Sequence, residues 1–361
     1  MSRRRITALS KKARSQNLDG LIITDLDQIR YLCGYTGSNG LLVIRGSRAD
    51  FLTDFRYADQ CKQEVKGATP HVMKKGDLVA GLSQFDEFKK KNFRYGYSES
   101  SMSVAALERL RGTLSEALLV GADDLLFDLG WVKEKQEIDL IARAAEISDI
   151  ALERVLGLVK PGVPEREIAA ELEYQMVMLG AEKRAFETIV ASGYRSALPH
   201  GAASEKEIEK GDFVTFDFGA TYRGYSSDMT RTIVVGKATP KQKKVYAIVL
   251  RAQKAALRKV KAGAPAADVD KAARNIINRA GYEKEFGHGT GHGIGFPQDP
   301  IHTGPRVNAV SEDILKVNQV ITVEPGIYIS GWGGVRIEDD VVVTRSGGRI
   351  LNSAEKKLLE L

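Results

Sequence analysis

Between about residue 20 and residue 128, short apolar runs such as LIIT, GLLVIR and DFLTD alternate with stretches of helical periodicity such as RYADQCKQEV and DLVAGLSQFDEFKKK. Strand-sized and helix-sized segments in alternation predict an α/β domain over residues 1–128. The period changes after DDLLFDLGW. From there KEKQEIDLIARAAEISDIALERVLGLV spaces Leu140, Ala144, Ile147, Ala151 and Val155 three or four residues apart, predicting a long amphipathic helix that opens a second domain, residues 129–361.

The second domain carries a diluted internal repeat. VKPGVPEREIAAELEYQMVMLGAE, from Val159, aligns without a gap on VKAGAPAADVDKAARNIINRAGYE, from Val260. Each copy reads as a helix end, a Gly and Pro turn, and a second helix closing on Gly180 or Gly281. A strand-rich segment follows each: DFVTFDFGATYRGYSSDMTRTIVV, then QVITVEPGIYISGWGGVRIEDDVVV. Two such halves predict pseudo-twofold symmetry, with hairpins forming a central antiparallel sheet and helices covering its outside. The fold class of the whole chain is therefore α+β.

Both hairpins place acids where their neighbours are apolar. Asp217 and Asp228 are equidistant from Tyr222 and Arg223, beside Gly224, so they are expected to face each other, with Cβ atoms roughly 5 Å apart. Glu324 and Glu338 are equidistant from Gly331 and are expected to do the same. Four carboxylates gathered on one sheet repel and resist burial unless a counter-charge is present, and two divalent cations supply it. The apolar neighbours then form the opposite strand face, packed under the helices.

In FGHGTGHGIGF, glycines at 287, 289, 291, 293 and 295 alternate with larger residues, giving a strand period. One face carries His288 and His292. The other has no side chains, so another backbone can approach it closely. A zincin helix needs glutamate directly after His288, where Gly289 stands, and no strand-then-helix unit surrounds the glycines as a dinucleotide site requires. His200 in ALPHGAAS and His302 in IHTGPRV precede the two hairpins at comparable places and are expected at the lips of a pocket; His71, in the first domain, is read as incidental.

Composition changes this picture little. The chain has 361 residues, 43% hydrophobic and 28% charged, and its net charge of +6 is scattered apart from the basic start SRRRITALSKKAR, which reads as a solvated helix face. No nucleic-acid-binding signature, GxSxG elbow or phosphate-binding GxxxxGK[ST] loop occurs. Cys33 and Cys61 form neither a disulfide framework nor a metal-spaced pair. No apolar run approaches a membrane span and no secretory leader opens the chain, so a cytoplasmic protein is expected.

Read in order, DFGATYRGYSSDMTRT, HGTGHGIG, TVEPGIY and GVRIEDDVVV resemble the pita-bread metallopeptidases, in the Xaa-Pro branch that holds aminopeptidase P and prolidase. YTGSNG and FLTDFRYADQ resemble the creatinase-like domain that precedes their catalytic domain. The resemblance implies five ligands for two metal ions: Asp217, Asp228, His292, Glu324 and Glu338. Asp228 and Glu338 bridge both ions in that scheme, Asp217 chelates one, and His292 and Glu324 complete the other.

Such an oxygen-rich set with one nitrogen suits Mn2+, with Co2+ or Zn2+ possible. By the same resemblance the metal pair lowers the pKa of a shared water, Glu324 carries a proton to the leaving nitrogen, and His200, His288 and His302 stabilise the oxyanion and orient the substrate. Arg336 is expected to hold ligand carboxylates from behind. One departure stands out: after His292 the family runs quickly to HExP, whereas here GFPQDPIHTGPRV is longer and Thr303 replaces the Glu.

The activity so implied is an Xaa-Pro aminopeptidase acting on peptides with proline second, and the chain is expected to form a homodimer. The alternatives are an Xaa-Pro dipeptidase, whose pocket needs a cation such as Arg306 for the free carboxylate, and an inactive pita-bread binding scaffold. The scaffold predicts eroded ligands, and all five are present.

Overall fold

The structure is a computed structural model that describes residues 2–74, 77–88, 90–296 and 304–361. One compact unit ends at Gly130 and a second begins at Trp131. Among the described residues no helix is long and apolar enough to cross a membrane.

The first unit is built on six strands: β1 (Gly20–Ile23), β2 (Leu41–Arg45), β3 (Arg48–Asp54), β4 (Thr69–Met73), β5 (Arg94–Tyr97) and β6 (Leu118–Gly121), in the order β4-β3-β2-β1-β5-β6. The sheet is mixed because the apolar runs of β2 and β3 fold back as a hairpin on Gly46, at φ 59°, while β5 and β6 add in parallel. Helices α1 (Ser2–Ser15), α2 (Leu26–Cys33), α3 (Ala58–Glu64), α4 (Leu78–Gly81), α5 (Val104–Thr113) and α6 (Asp123–Phe127) complete the unit. Ile22, Val43, Leu52, Leu82, Phe88 and Tyr95 fill part of its core.

The second unit opens with α7 (Lys135–Val155), whose first turn is closed by a capping box between Glu134 and Glu137. Ala144, Ile147, Ala151 and Val155 are fully buried along one stripe, as their spacing requires. Leu140 is only half-buried; Ile141, one residue further round, takes its place in the core.

The repeat is plain in three dimensions. Helix α8 (Glu165–Met178) follows Pro164, and α10 (Ala266–Arg279) follows Pro265. Gly162 and Gly263 precede them at φ 88° and 83°, and Gly180 and Gly281 close them at φ 104° and 85°, values that disfavour side-chain-bearing residues. Helix α9 (Pro240–Leu257) packs on α10 as α7 packs on α8.

In the first half, β7 (Lys183–Arg184), β10 (Ala220–Tyr222) and β11 (Tyr225–Ser226) form one small sheet, and β8 (Ile189–Ser192), β9 (Phe213–Phe218) and β12 (Met229–Val234) another. In the second, β13 (Val320–Val323) and β16 (Asp339–Val343) pair beside β17 (Gly348–Ile350), and β14 (Gly326–Ile329) pairs with β15 (Gly333–Arg336). Alternation sorts the side chains. Val214, Phe216 and Phe218 sink under α7 and α8, and Ile321, Val323, Val335, Ile337, Val341 and Val343 sink under α9 and α10. The facing positions carry Asp217, Thr230, Thr322, Arg336, Glu338 and Asp340.

Candidate metal centre

The turn of the first hairpin decides where its acids stand. Arg223 and Gly224 occupy the two central positions at φ 50° and 85°, the combination that matches strand twist in a two-residue loop, so Tyr222 pairs with Tyr225. The ladder therefore sets Thr230, not Asp228, opposite Asp217. The expected face-to-face aspartates are thus corrected: centring the turn one residue early shifts the partner by two places. Asp228 stands diagonally from Asp217, just before β12, where it still reaches the same face. The second hairpin keeps the predicted register, with Val323 opposite Asp339 and Gly326 opposite Arg336, which leaves Glu324 across from Glu338.

The two hairpins meet along these faces. One carboxylate oxygen from each of Asp217, Asp228 and Glu338 lies within 4.8 Å of the others. His292 Nε2 is 3.6 Å from Asp228 Oδ2 and 3.7 Å from Glu324 Oε1, so the remaining two expected ligands border the same space. Bonds across the seam fix the acids. The Thr230 hydroxyl donates to Glu338 Oε2 at 2.6 Å, Arg336 Nη2 donates to Asp217 Oδ2 at 2.5 Å, and Asp228 N–H donates to Asp340 Oδ2 at 3.0 Å.

The segment from His288 to Phe296 runs extended without becoming a regular strand. Gly291 bridges Val307 and Gly293 bridges Ile321. A side chain on Gly291 would strike the Thr322 carbonyl, and one on Gly293 the carbonyl of Gly304, so the bare face serves close backbone approach as expected. The expected strand is not formed because these contacts are single bridges on alternate sides. Each histidine ring places Nδ1 on the carbonyl of the next glycine, at 2.7 Å for His288 and 2.9 Å for His292. A carbonyl only accepts, so Nδ1 carries the hydrogen, and in the neutral ring Nε2 keeps the lone pair. On His292 it is Nε2 that faces Asp228 and Glu324.

On His288 the lone pair accepts from Tyr328 Oη at 2.9 Å, and Tyr328 accepts in turn from Arg336 Nη1 at 2.7 Å. Burial pushes His288 down from its ordinary pKa, which keeps it neutral, and raises Tyr328 to about 12. His200 is exposed and lies in the neighbourhood of Asp217 and His288. His302 lies outside the described residues. Arg306 is exposed, and its N–H donates to Asp313 Oδ2 at 2.9 Å.

Residues 139–345 match the description Metallopeptidase family M24, and residues 5–129 match the Creatinase/Prolidase N-terminal domain. The chain belongs to metallopeptidase family M24. Among M24 relatives, the Xaa-Pro dipeptidase of Pyrococcus furiosus is 40% identical over 358 residues, which cover 98% of this chain and 99% of that protein. A solved structure of an Xaa-Pro dipeptidase from Bacillus anthracis matches with a TM-score of 0.94 at 39% identity, covering 100% of both chains. An X-Pro aminopeptidase from Thermotoga maritima matches with a TM-score of 0.89 at 38% identity, covering 97% of this chain and 100% of that one. In this chain the pita-bread catalytic domain thus follows a creatinase-like domain.

The M24 assignment implies divalent metal ions, and the residues present fit them. Asp228 Oδ1 and Glu338 Oε1 are buried with no hydrogen-bond partner, although buried polar atoms normally have one. Burial raises Asp228 well above the usual carboxylate range, and repulsion from Glu338 and Asp217 adds to this. Burial, then repulsion from Glu324 and Asp217, raises Glu338 likewise. Asp217 is raised less far, because Arg336 offsets part of its burial. An arrangement of open acceptor atoms and mutually repelling acids is what a cation pair would relieve.

Three neighbours of the site escaped the sequence reading. Asp340 shares the face of Glu338 two residues on, so period-two alternation carried its signal. Thr230 and Tyr328 carried none, since a strand Thr and a strand Tyr are ordinary.

Proposed function

We propose that this protein is a dinuclear metal-dependent Xaa-Pro dipeptidase. The observation that carries the reading is the converging set of acids from two hairpins, with Asp217, Asp228 and Glu338 sharing one space and His292 and Glu324 beside it. These five residues would hold two divalent ions, Mn2+ being the best chemical match to so oxygen-rich a set. When bound, the ions supply an activated water and polarise the scissile carbonyl.

The chain supplies the rest. Glu324, at the edge of the acid group, takes the proton of the attacking water and delivers it to the leaving nitrogen. That nitrogen belongs to proline and carries no hydrogen before cleavage, so protonation is an obligatory service. Arg336 fixes Asp217, and Thr230 fixes Glu338, so that neither acid turns away. His200, exposed at the site, orients substrate and steadies the developing oxyanion. His288 has both nitrogens engaged, so it reaches substrate only when Tyr328 releases Nε2; in the bound network it shapes the pocket wall.

The sequence alone favoured an aminopeptidase over a dipeptidase. The dipeptidases of Pyrococcus furiosus and Bacillus anthracis support the second choice more strongly, at near-complete coverage. The Thermotoga maritima structure still supports the aminopeptidase reading. Assaying Ala-Pro against Ala-Pro-Ala with added Mn2+ separates them. Turnover of the dipeptide with little of the tripeptide is expected; efficient release of alanine from the tripeptide would restore the aminopeptidase, and inactivity on both with metal bound would favour a scaffold.

A further inference from the structure

Two buried carboxylates on α8 and α10 have no part in the acid group, yet each is tied to a loop that carries a site histidine. On α10, Asp270 is fully buried and accepts four hydrogen bonds. Its Oδ1 accepts from Thr290 N–H at 3.2 Å, from the Thr290 hydroxyl at 2.8 Å and from Arg274 Nη2 at 2.8 Å, while Oδ2 accepts from Arg274 Nε at 2.8 Å. Arg274, so held, donates to the carbonyls of Phe286 at 3.0 Å and His288 at 2.8 Å. The Thr290 carbonyl then accepts Glu324 N–H at 2.7 Å. One acid on a rigid helix thus fixes the backbone on both sides of His288 and, through Thr290, the backbone of Glu324.

The other half uses the same construction. Glu165, at the start of α8 and fully buried, accepts from Ser192 N–H at 2.6 Å, Arg195 Nε at 2.9 Å and the Ser204 hydroxyl at 2.6 Å, and Arg195 donates to the Ala202 carbonyl at 2.6 Å. His200 lies between these anchors. Glu165 and Asp270 do not occupy equivalent places in the repeat, so the duplication alone does not account for both.

We infer that Asp270, with Arg274 and Thr290, is a positioning device that sets Glu324 and the His288 loop at the distance the chemistry needs. The inference rests on the proposed metal and proton roles of Glu324. A buried charge pair of this kind is weak evidence for stability alone, since apolar residues often replace such pairs at no loss. Its value here lies in direction, because the bonds end on the backbone of site residues.

The test uses Asp270→Asn and Thr290→Val, with Thr290→Ser as the conservative control, and reads kcat, KM and the Mn2+ Kd of substrate-free protein by calorimetry. Asn and Val are each expected to lower kcat about tenfold or more and to weaken Mn2+ about tenfold, as loss of groups behind metal ligands does. Ser is expected to restore both within about twofold, and the double variant to be no worse than the more severe single one. A lower Tm with unchanged kcat, KM and Mn2+ Kd in Thr290→Val would overturn the inference, as would additive effects. Should Asp270→Asn fail to fold, Thr290→Val and its Ser control decide. Should the wild type cleave no Xaa-Pro peptide, the functional reading fails while the Mn2+ comparison still judges the clamp.

Discussion

Thr230 and Glu338 come from different halves of the second unit, and the hydroxyl of the first donates to Oε2 of the second at 2.6 Å while accepting from Arg336 Nε at 3.0 Å. One small side chain therefore orients an acid and a guanidinium together. Thr230→Val keeps the shape and removes both bonds. It is expected to lower kcat about 10–100-fold and to destabilise by about 1–3 kcal/mol, because Arg336 Nε loses a buried acceptor. Thr230→Ser should retain most activity. Steady-state kinetics with thermal melts would show it, and near-wild-type turnover by the valine variant would contradict the role.

Glu324→Gln keeps the size of the residue and removes the proton acceptor. Turnover is expected to fall by at least about a hundredfold, while the Tm of metal-free protein changes little. Retained turnover would dismiss both the ligand and the proton-carrying role.

The acid group gives metal-free protein a signed pH dependence. Asp228 and Glu338 have folded pKa values raised well above their unfolded ones, so the folded state binds more protons and stability falls as pH rises from the ordinary carboxylate range toward the folded values. Protein stripped of metal is expected to melt at higher temperature near pH 5.5 than near pH 8. Saturating Mn2+ should raise the Tm more at pH 8, where fewer protons compete with the metal for Asp228 and Glu338. Equal Mn2+ shifts at both pH values would count against a carboxylate cage.

Lys133 offers a prediction away from the chemistry. Burial pushes its ammonium down to about 8, partly offset by Glu137, and its Nζ donates to the Trp131 carbonyl at 3.2 Å. With a folded pKa below the unfolded one, the native state carries a penalty that is full below about pH 8 and relieved as pH rises toward the model-compound value of 10.5. Lys133→Met is expected to stabilise at pH 7 by up to about 3 kcal/mol, a gain that fades toward pH 10. Denaturant melts at the two pH values measure it, and a destabilised variant at pH 7 would show that the charge is welcome there.

The duplicated helices were legible because Gly and Pro mark their ends, and a gap-free match 101 residues apart survives wide drift at other positions. The acids were legible because carboxylates among Phe, Val and Ile violate strand patterning. Register in the first hairpin was not. Arg-Gly lacks the Asn-Gly or Asp-Gly signal of a two-residue loop, so the turn could be centred on either side of Arg223, and only the fold distinguishes them. Leu140 failed for a similar reason: a 3.6-residue period leaves adjacent apolar positions such as Leu140 and Ile141 equally eligible until the neighbouring elements choose one. The Asp270 clamp was hidden because its partners lie 4 and 20 residues away in elements whose contact depends on the whole domain.

The bonds that steady Asp217, Asp228 and Glu338 all arrive from the opposite hairpin. Neither half, taken by itself, is a weaker version of the enzyme: the first holds Asp217 and Asp228 without Arg336, and the second holds Glu338 without Thr230. If the repeat records a gene duplication, its single-half ancestor would have needed to embrace a second copy of itself before any metal could be held.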